Sequence, residues 1–273
     1  MDFLNILFGF FLILKLDFEG FVNLFNSIPI ELTWFLFLIV SFSFVLIFLK
    51  LFGKVGLYVY SVIAIIAANI QVLKIVKFSF FSDPIALGTI LFASTFLCTD
   101  ILTEYYGAKS ARKNILIGFA GFLLMTFLMI FTLGFTPLNT SSAGNDFAWA
   151  LNTQQNLIGI FMPFPIFFVS SMISYLFSQY FDVWIYEKIS ELTNKKFLWF
   201  RNNLSTMISS LIDNTIFSIF AWIILNPNPL DFNTVLFTFI LGTYILRIFI
   251  ALFDTPFIYL AKFLLPNKKN EPI

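Results

Sequence analysis

Apolar residues in this chain come in long unbroken runs separated by short polar connections. The runs fall at 32–49, 55–73, 85–101, 115–135, 157–181, 204–225 and 234–265. A helix rises about 1.5 Å per residue, so each run can cross a hydrocarbon core of roughly 30 Å, with 85–101 the marginal case. Spanning strands do not fit, because barrels alternate apolar and polar residues in segments of about ten. The pattern therefore predicts an all-α, polytopic transmembrane helical bundle. A shorter apolar stretch, 3–16, is expected to be a short first helix or a segment in the interface. It opens with an acid, Asp2, and no small-residue cleavage site follows, so a cleaved signal peptide is not expected.

Charge adds a direction. Lys50 and Lys54 share one connection, Lys109, Arg112 and Lys113 another, and Lys188, Lys195, Lys196 and Arg201 a third. Lys262, Lys268 and Lys269 end the chain. The intervening connections 17–31, 136–156 and 226–233 carry no Lys or Arg, and only Lys15, Lys74 and Lys77 break the alternation. Basic loops mark the cytoplasmic side, so the C-terminus is expected there. Asn139-Thr140-Ser141 and Asn203-Leu204-Ser205 both match a glycosylation acceptor, but on opposite predicted sides, which reads as coincidence.

Composition agrees. Apolar residues make up 59% of the chain and charged residues 11%, far from the roughly 25% charged of a soluble domain. The net charge of +1 leaves no concentrated basic face for nucleic acid. There is no His, so the usual proton shuttle and commonest metal ligand are absent, and one cysteine, Cys98, allows no intrachain disulfide. No Walker-type phosphate loop occurs, and without His there is no nucleophile–His pair. Neither a catalytic residue, a metal site nor a cofactor is expected.

The polar residues inside the runs are the candidate chemistry. Asp213 is the one charge in 204–225, and an ionisable group at membrane depth costs at least ~2.5 kcal/mol unless paired. Ser205, Ser209 and Asp213 recur four apart, placing a polar row on one helix face beside Thr206 and Ser210. Arg247, with Tyr244 and Asp254 on the last run, can pair with Asp213, Asp254 or Asp100. Ser171, Tyr175, Ser178 and Asp182 form another row, with Gln179 and Tyr186 nearby. Asn69 and Gln71 place amides near the end of 55–73, and Ala64 with Ala68 suits a close helix contact. A purely structural hydrogen-bond network is the bland alternative for these groups.

Several of these residues form motifs. Thr99-Asp100 with Thr103-Glu104, Tyr106-Gly107 and Ala111-Arg112 come first; Gln179, Asp182 and Tyr186 follow; then Arg201-Asn202-Asn203 with Ser205-Thr206, Ser209 and Asp213. Together with Asn69, Tyr244, Arg247 and Pro256, they resemble the queuosine precursor transporter family, also called the vitamin uptake transporter family. The family often has Lys where Arg247 stands and Gln where Ser210 stands. The resemblance implies a six-helix transporter core over 55–273, with 1–54 as an N-terminal extension of one or two hydrophobic helices. It implies import of deazaguanine bases for tRNA modification, across the plasma (inner) membrane, by a secondary transporter. The substrate-binding residues it points to are Asn69, Asp100, Glu104, Gln179, Asp182, Ser209, Asp213, Tyr244 and Arg247. Asp213 is expected to accept from a guanine-like edge, Asn69 and Gln179 to bond the ring carbonyl, and Tyr244 to stack on the ring. Proton coupling is expected through Asp100, Glu104 or Asp213. The expected partners are a small deazaguanine base and the lipid bilayer, with no nucleic acid; a homodimer stays open. The alternatives are a substrate-binding subunit of an energy-coupling-factor importer, which would need a separate ATPase, and a structural membrane protein.

Overall fold

A computed structural model describes residues 2–79, 81, 84–162 and 164–266. Helices α1 (Asp2–Leu14) and α2 (Phe18–Asn26) open the chain and pack on each other. At 13 residues α1 reaches only about 20 Å, short of a bilayer core. Helix α3 (Ile30–Gln71) would be about 63 Å long if straight, twice what a membrane needs. It is instead two arms, 30–52 and 54–71, divided at Gly53 (φ 59°, ψ −142°). The arms fold back on each other, because Tyr60 Oη donates to the Ser41 carbonyl at 3.2 Å across 19 residues of sequence. Only glycine takes such a backbone conformation without strain.

A two-residue ladder, β1 (Ile75–Val76) against β2 (Ile85–Ala86), precedes α4 (Thr89–Tyr106). The run expected at 85–101 is thereby shifted. Its first residues belong to the ladder, and the helix starts only after Gly88, whose φ is 106°. A Cβ on Gly88 would lie 2.8 Å from the Ala68 carbonyl, so the turn from ladder to helix requires glycine. Helix α4 is the centre of the bundle: 11 of its 18 residues are buried, including Thr95, Thr99 and Asp100. Its polarity follows from facing other helices. Helix α5 (Ala108–Leu133) is peripheral and exposes Leu116, Leu124, Phe127 and Phe131 as a lipid-type surface.

Short α6 (Thr140–Ala143) and α7 (Thr153–Phe161) lead to α8 (Phe164–Leu192). The single span expected at 157–181 is therefore corrected. Its start lies in α7, and α8 begins beside Pro165, which the first turn of a helix tolerates. Helix α9 (Leu198–Ile219) continues into a π-helical turn, Phe220–Ile224. Helix α10 (Phe232–Thr234) and a π-helical stretch, Val235–Gly242, lead into α11 (Thr243–Leu264). One apolar cluster joins Phe42 and Leu49 of the first α3 arm with Ile65, Leu97, Ile115, Val183 and Ile258, so both arms share the core of the later helices.

Among the described residues, four helical segments, 30–71, 108–133, 198–224 and 232–264, are long and apolar enough to cross a membrane. The structure gathers the basic connections at one end. There Gly53 lies beside Pro266 and Tyr106, Tyr105 Oη donates to the Ile258 carbonyl, and the Trp199 amide donates to Tyr259 Oη. Residues 72–79, 81, 84–88 and 225–231 lie at the opposite end. Lys268 and Lys269 fall outside the described residues.

Candidate substrate cavity and buried polar column

At the end away from the basic loops, the bundle opens into a small cleft, about 70 Å³ in volume and continuous with the outside. Its walls come from the β2–α4 segment, α8, α9 and the π-helical stretch before α11. Four flat side chains line it, Phe92, Phe217, Trp222 and Phe239, with the last two rings 4.7 Å apart. The π-helical backbone needs a partner for its carbonyls. Asn214 provides it, since Nδ2 donates to the carbonyls of Phe239 (3.1 Å) and Ile240 (2.7 Å) and to Thr243 Oγ1 (2.7 Å). Short π segments occur mostly where a helix has been adapted to a site, and two of them border this cavity.

Asp213 and Arg247 line the cavity and pair, Nη1 to Oδ2, at 2.6 Å. Both are about nine-tenths buried. Ser178 donates to the other carboxylate oxygen at 3.1 Å. Arg247 also reaches the Ser210 carbonyl at 3.4 Å, while its Nε has no partner. A carboxylate offers about four lone-pair positions, and two are used here. The pair thus retains acceptor capacity on Asp213 and a spare donor on Arg247.

Deeper in the bundle a second tier holds three fully buried carboxyls. Thr206 donates to Asp100 Oδ2 (3.0 Å), Ser209 to Asp182 Oδ1 (2.6 Å) and Asn202 Nδ2 to Asp254 Oδ1 (2.6 Å). Gln179 is held above it: Thr99 donates to its Oε1 and its Nε2 donates to Thr95, both at 3.0 Å. The third tier lies at the basic end. Arg201 grips Glu104 through Nη2 and Nε, and Tyr186 donates to Glu104 Oε2 at 2.9 Å. Arg201 Nη1 adds the Lys196 carbonyl at 3.0 Å. Residues 201 to 213 of α9 span all three tiers, about 18 Å along the helix axis.

Of the nine expected binding residues, Asp213 and Arg247 line the cavity. Asp100, Asp182 and Ser209 sit in the second tier and Glu104 in the third. Asn69 Nδ2 is turned onto its own helix at the Ile65 carbonyl, and Tyr244 Oη donates to the Met207 carbonyl. Neither of these two lines the cavity, and neither does Gln179. Sequence reasoning passed over Asn214 and the aromatic wall. Asn214 carried a signal, an amide beside the lone acid of an apolar run. The wall carried none, being four rings in a chain with 41 Phe.

Residues 86–261 match the family profile described as "Putative vitamin uptake transporter". The chain belongs to this family. It is an integral membrane transporter, and the cavity lies in the matched helices. It is 35% identical over 239 residues to a protein of Bacillus subtilis (strain 168) named "Probable queuosine precursor transporter", covering 87% of this chain and 97% of that one. No solved structure matches.

Proposed function

We propose that the protein imports queuosine precursors, deazaguanine bases, and that the base docks against the Asp213–Arg247 pair. The observation that carries this reading is the pattern of unused hydrogen-bonding capacity at the closed end of an aromatic-walled cavity. A guanine-type edge presents a ring N–H, an exocyclic amine and a ring carbonyl side by side. Asp213 has the free lone pairs to accept from the two donors. Arg247, once its guanidinium turns toward the cavity, supplies the donor for the carbonyl. Phe217, Trp222 and Phe239 offer ring faces for stacking, worth about 1–3 kcal/mol per base in comparable sites. A buried site built on such pairing rejects analogues that lack the amine or carbonyl, because its own polar groups would then stay unpaired.

The family name of the Bacillus subtilis relative and the aromatic, carboxylate-tipped cavity point to the same class of substrate. With basic loops on the cytoplasmic side, the cavity faces outward, as an importer waiting for substrate requires. The test is uptake of the cyano precursor, the aminomethyl precursor and queuine into a host that can neither make nor import them, scored by queuosine in its tRNA. The wild-type chain restores the modified nucleoside with at least one base, and Asp213→Asn abolishes it. Restoration by Asp213→Asn at the wild-type level would remove the carboxylate from the site.

A further inference from the structure

The second tier has more acceptors than donors. Asp100 and Asp182 are each fully buried, and the hydroxyls that hold them, Thr206 and Ser209, stand three residues apart on one turn of α9. Each has one oxygen, Asp100 Oδ1 and Asp182 Oδ2, with no partner. Asn202 is also fully buried; its Nδ2 is held by Asp254, and its Oδ1 is a third acceptor without a donor. The neighbouring donors, Thr206, Ser209 and the Asn202 amide, already point at other oxygens of the same groups. Neighbouring buried carboxylates cannot all stay ionised at this depth without a counter-charge.

The surrounding charges do not supply one. On α4, Glu104 faces Arg201, and Cys98 is neutral and buried. On α8, Tyr186 is bonded to Glu104. On α9, Arg201 is held by Glu104, and Asp213 by Arg247 of α11. The remaining facing group, Asp254 on α11, is another acid. Among the described residues no three His, Cys, Asp or Glu side chains converge as metal ligands.

We propose that Asp100 and Asp182 share one proton, and that this proton is the ion whose inward flow drives uptake. The proposal rests on the transport reading above. An O–H bond forms on one of the two carboxyls when a proton enters from the cavity side. It breaks when the proton leaves toward the basic end, so one positive charge crosses with each turnover. Helix α8 links this site to the cavity, since Ser178 bonds Asp213, Gln179 bonds Thr95 and Thr99, and Asp182 follows one turn later.

The experiment uses the full chain in vesicles with the labelled cyano-deazaguanine base. One pH unit is worth about 1.4 kcal/mol, a tenfold concentration ratio, so a gradient of one unit, outside acidic, drives roughly tenfold accumulation if one proton accompanies each base. Asp100→Asn and Asp182→Asn lose this accumulation while exchange of labelled for unlabelled base across the membrane stays measurable. Accumulation that ignores the pH gradient, follows a sodium gradient, or survives in both variants overturns the proposal. A second readout needs no substrate. The infrared spectrum of the wild-type chain at neutral pH contains a protonated-carboxyl band that shifts in D2O and loses intensity in the Asp100→Asn/Asp182→Asn double variant; a band absent from the wild type, or unchanged in the double variant, overturns the shared proton. Failure of every base to exchange, with that band present, refutes the substrate reading and leaves the proton site standing.

Discussion

Asp213 and Arg247 neutralise each other in a place where neither is tolerated alone. Removing one partner of a buried pair strands the other, at about 3–5 kcal/mol. Asp213→Ala should therefore lower thermal stability in detergent by roughly that amount, and Asp213→Ala/Arg247→Met should recover part of it. Equal melting of the single and double variants would show that the two charges are not coupled. The same logic applies to Glu104 and Arg201, whose side chains are 21% and 2% exposed. Glu104→Gln should destabilise, and the exchanged pair Glu104→Arg/Arg201→Glu should be more stable than either single change, read as melting temperatures. Asp213 was legible in the sequence because it is the one charge in a long apolar run. Arg201 was not legible as a buried residue, because it follows Lys195 and Lys196 and reads as one more loop charge. Its burial depends on Glu104, 97 residues away, and no local pattern encodes that distance.

The helices themselves were written plainly in the apolar runs, since lipid-facing surface must be continuous along a span. Where the pattern misled, tertiary contacts had replaced periodicity. The start of α4 is set by the approach of Gly88 to the Ala68 carbonyl. Gly88→Ala should cost at least ~1 kcal/mol from the left-handed backbone alone, seen as a lower unfolding temperature. An unchanged temperature would mean that the turn relaxes freely. The π-helical stretch Val235–Gly242 was invisible because its apolar residues fit an α-helix equally well. What selects the wider turn is Asn214, which fills three acceptor positions from a neighbouring helix. Asn214→Ala should lose about 1 kcal/mol per hydrogen bond removed, and uptake should fall roughly tenfold as the Phe239 wall shifts. Full uptake in that variant would show that the wall does not depend on the amide.

Sidedness belongs to the assembled bundle. The alternation of basic and neutral connections predicts it, and the fold collects 53, 106–107 and 196–201 at one end. The chain has a single cysteine, Cys98, and it is buried, so a labelling background is available without further change. Thr238→Cys in the cavity should react with an impermeant maleimide added outside cells, and Lys195→Cys only after the membrane is opened. The reverse pattern would invert the topology and turn the cavity inward. The arrangement of the three tiers constrains how such a cavity changes sides. Every tier ties α9 to its neighbours: α11 and α8 at the top, α4, α8 and α11 in the middle, α4 and α8 at the bottom. Helix α8 meets α9 at all three levels, through Ser178, Asp182 and Tyr186, so sliding one against the other would break ties along the whole column. Helices α8 and α9 together are the spine of the column, and α4 and α11 each hang on it at two levels.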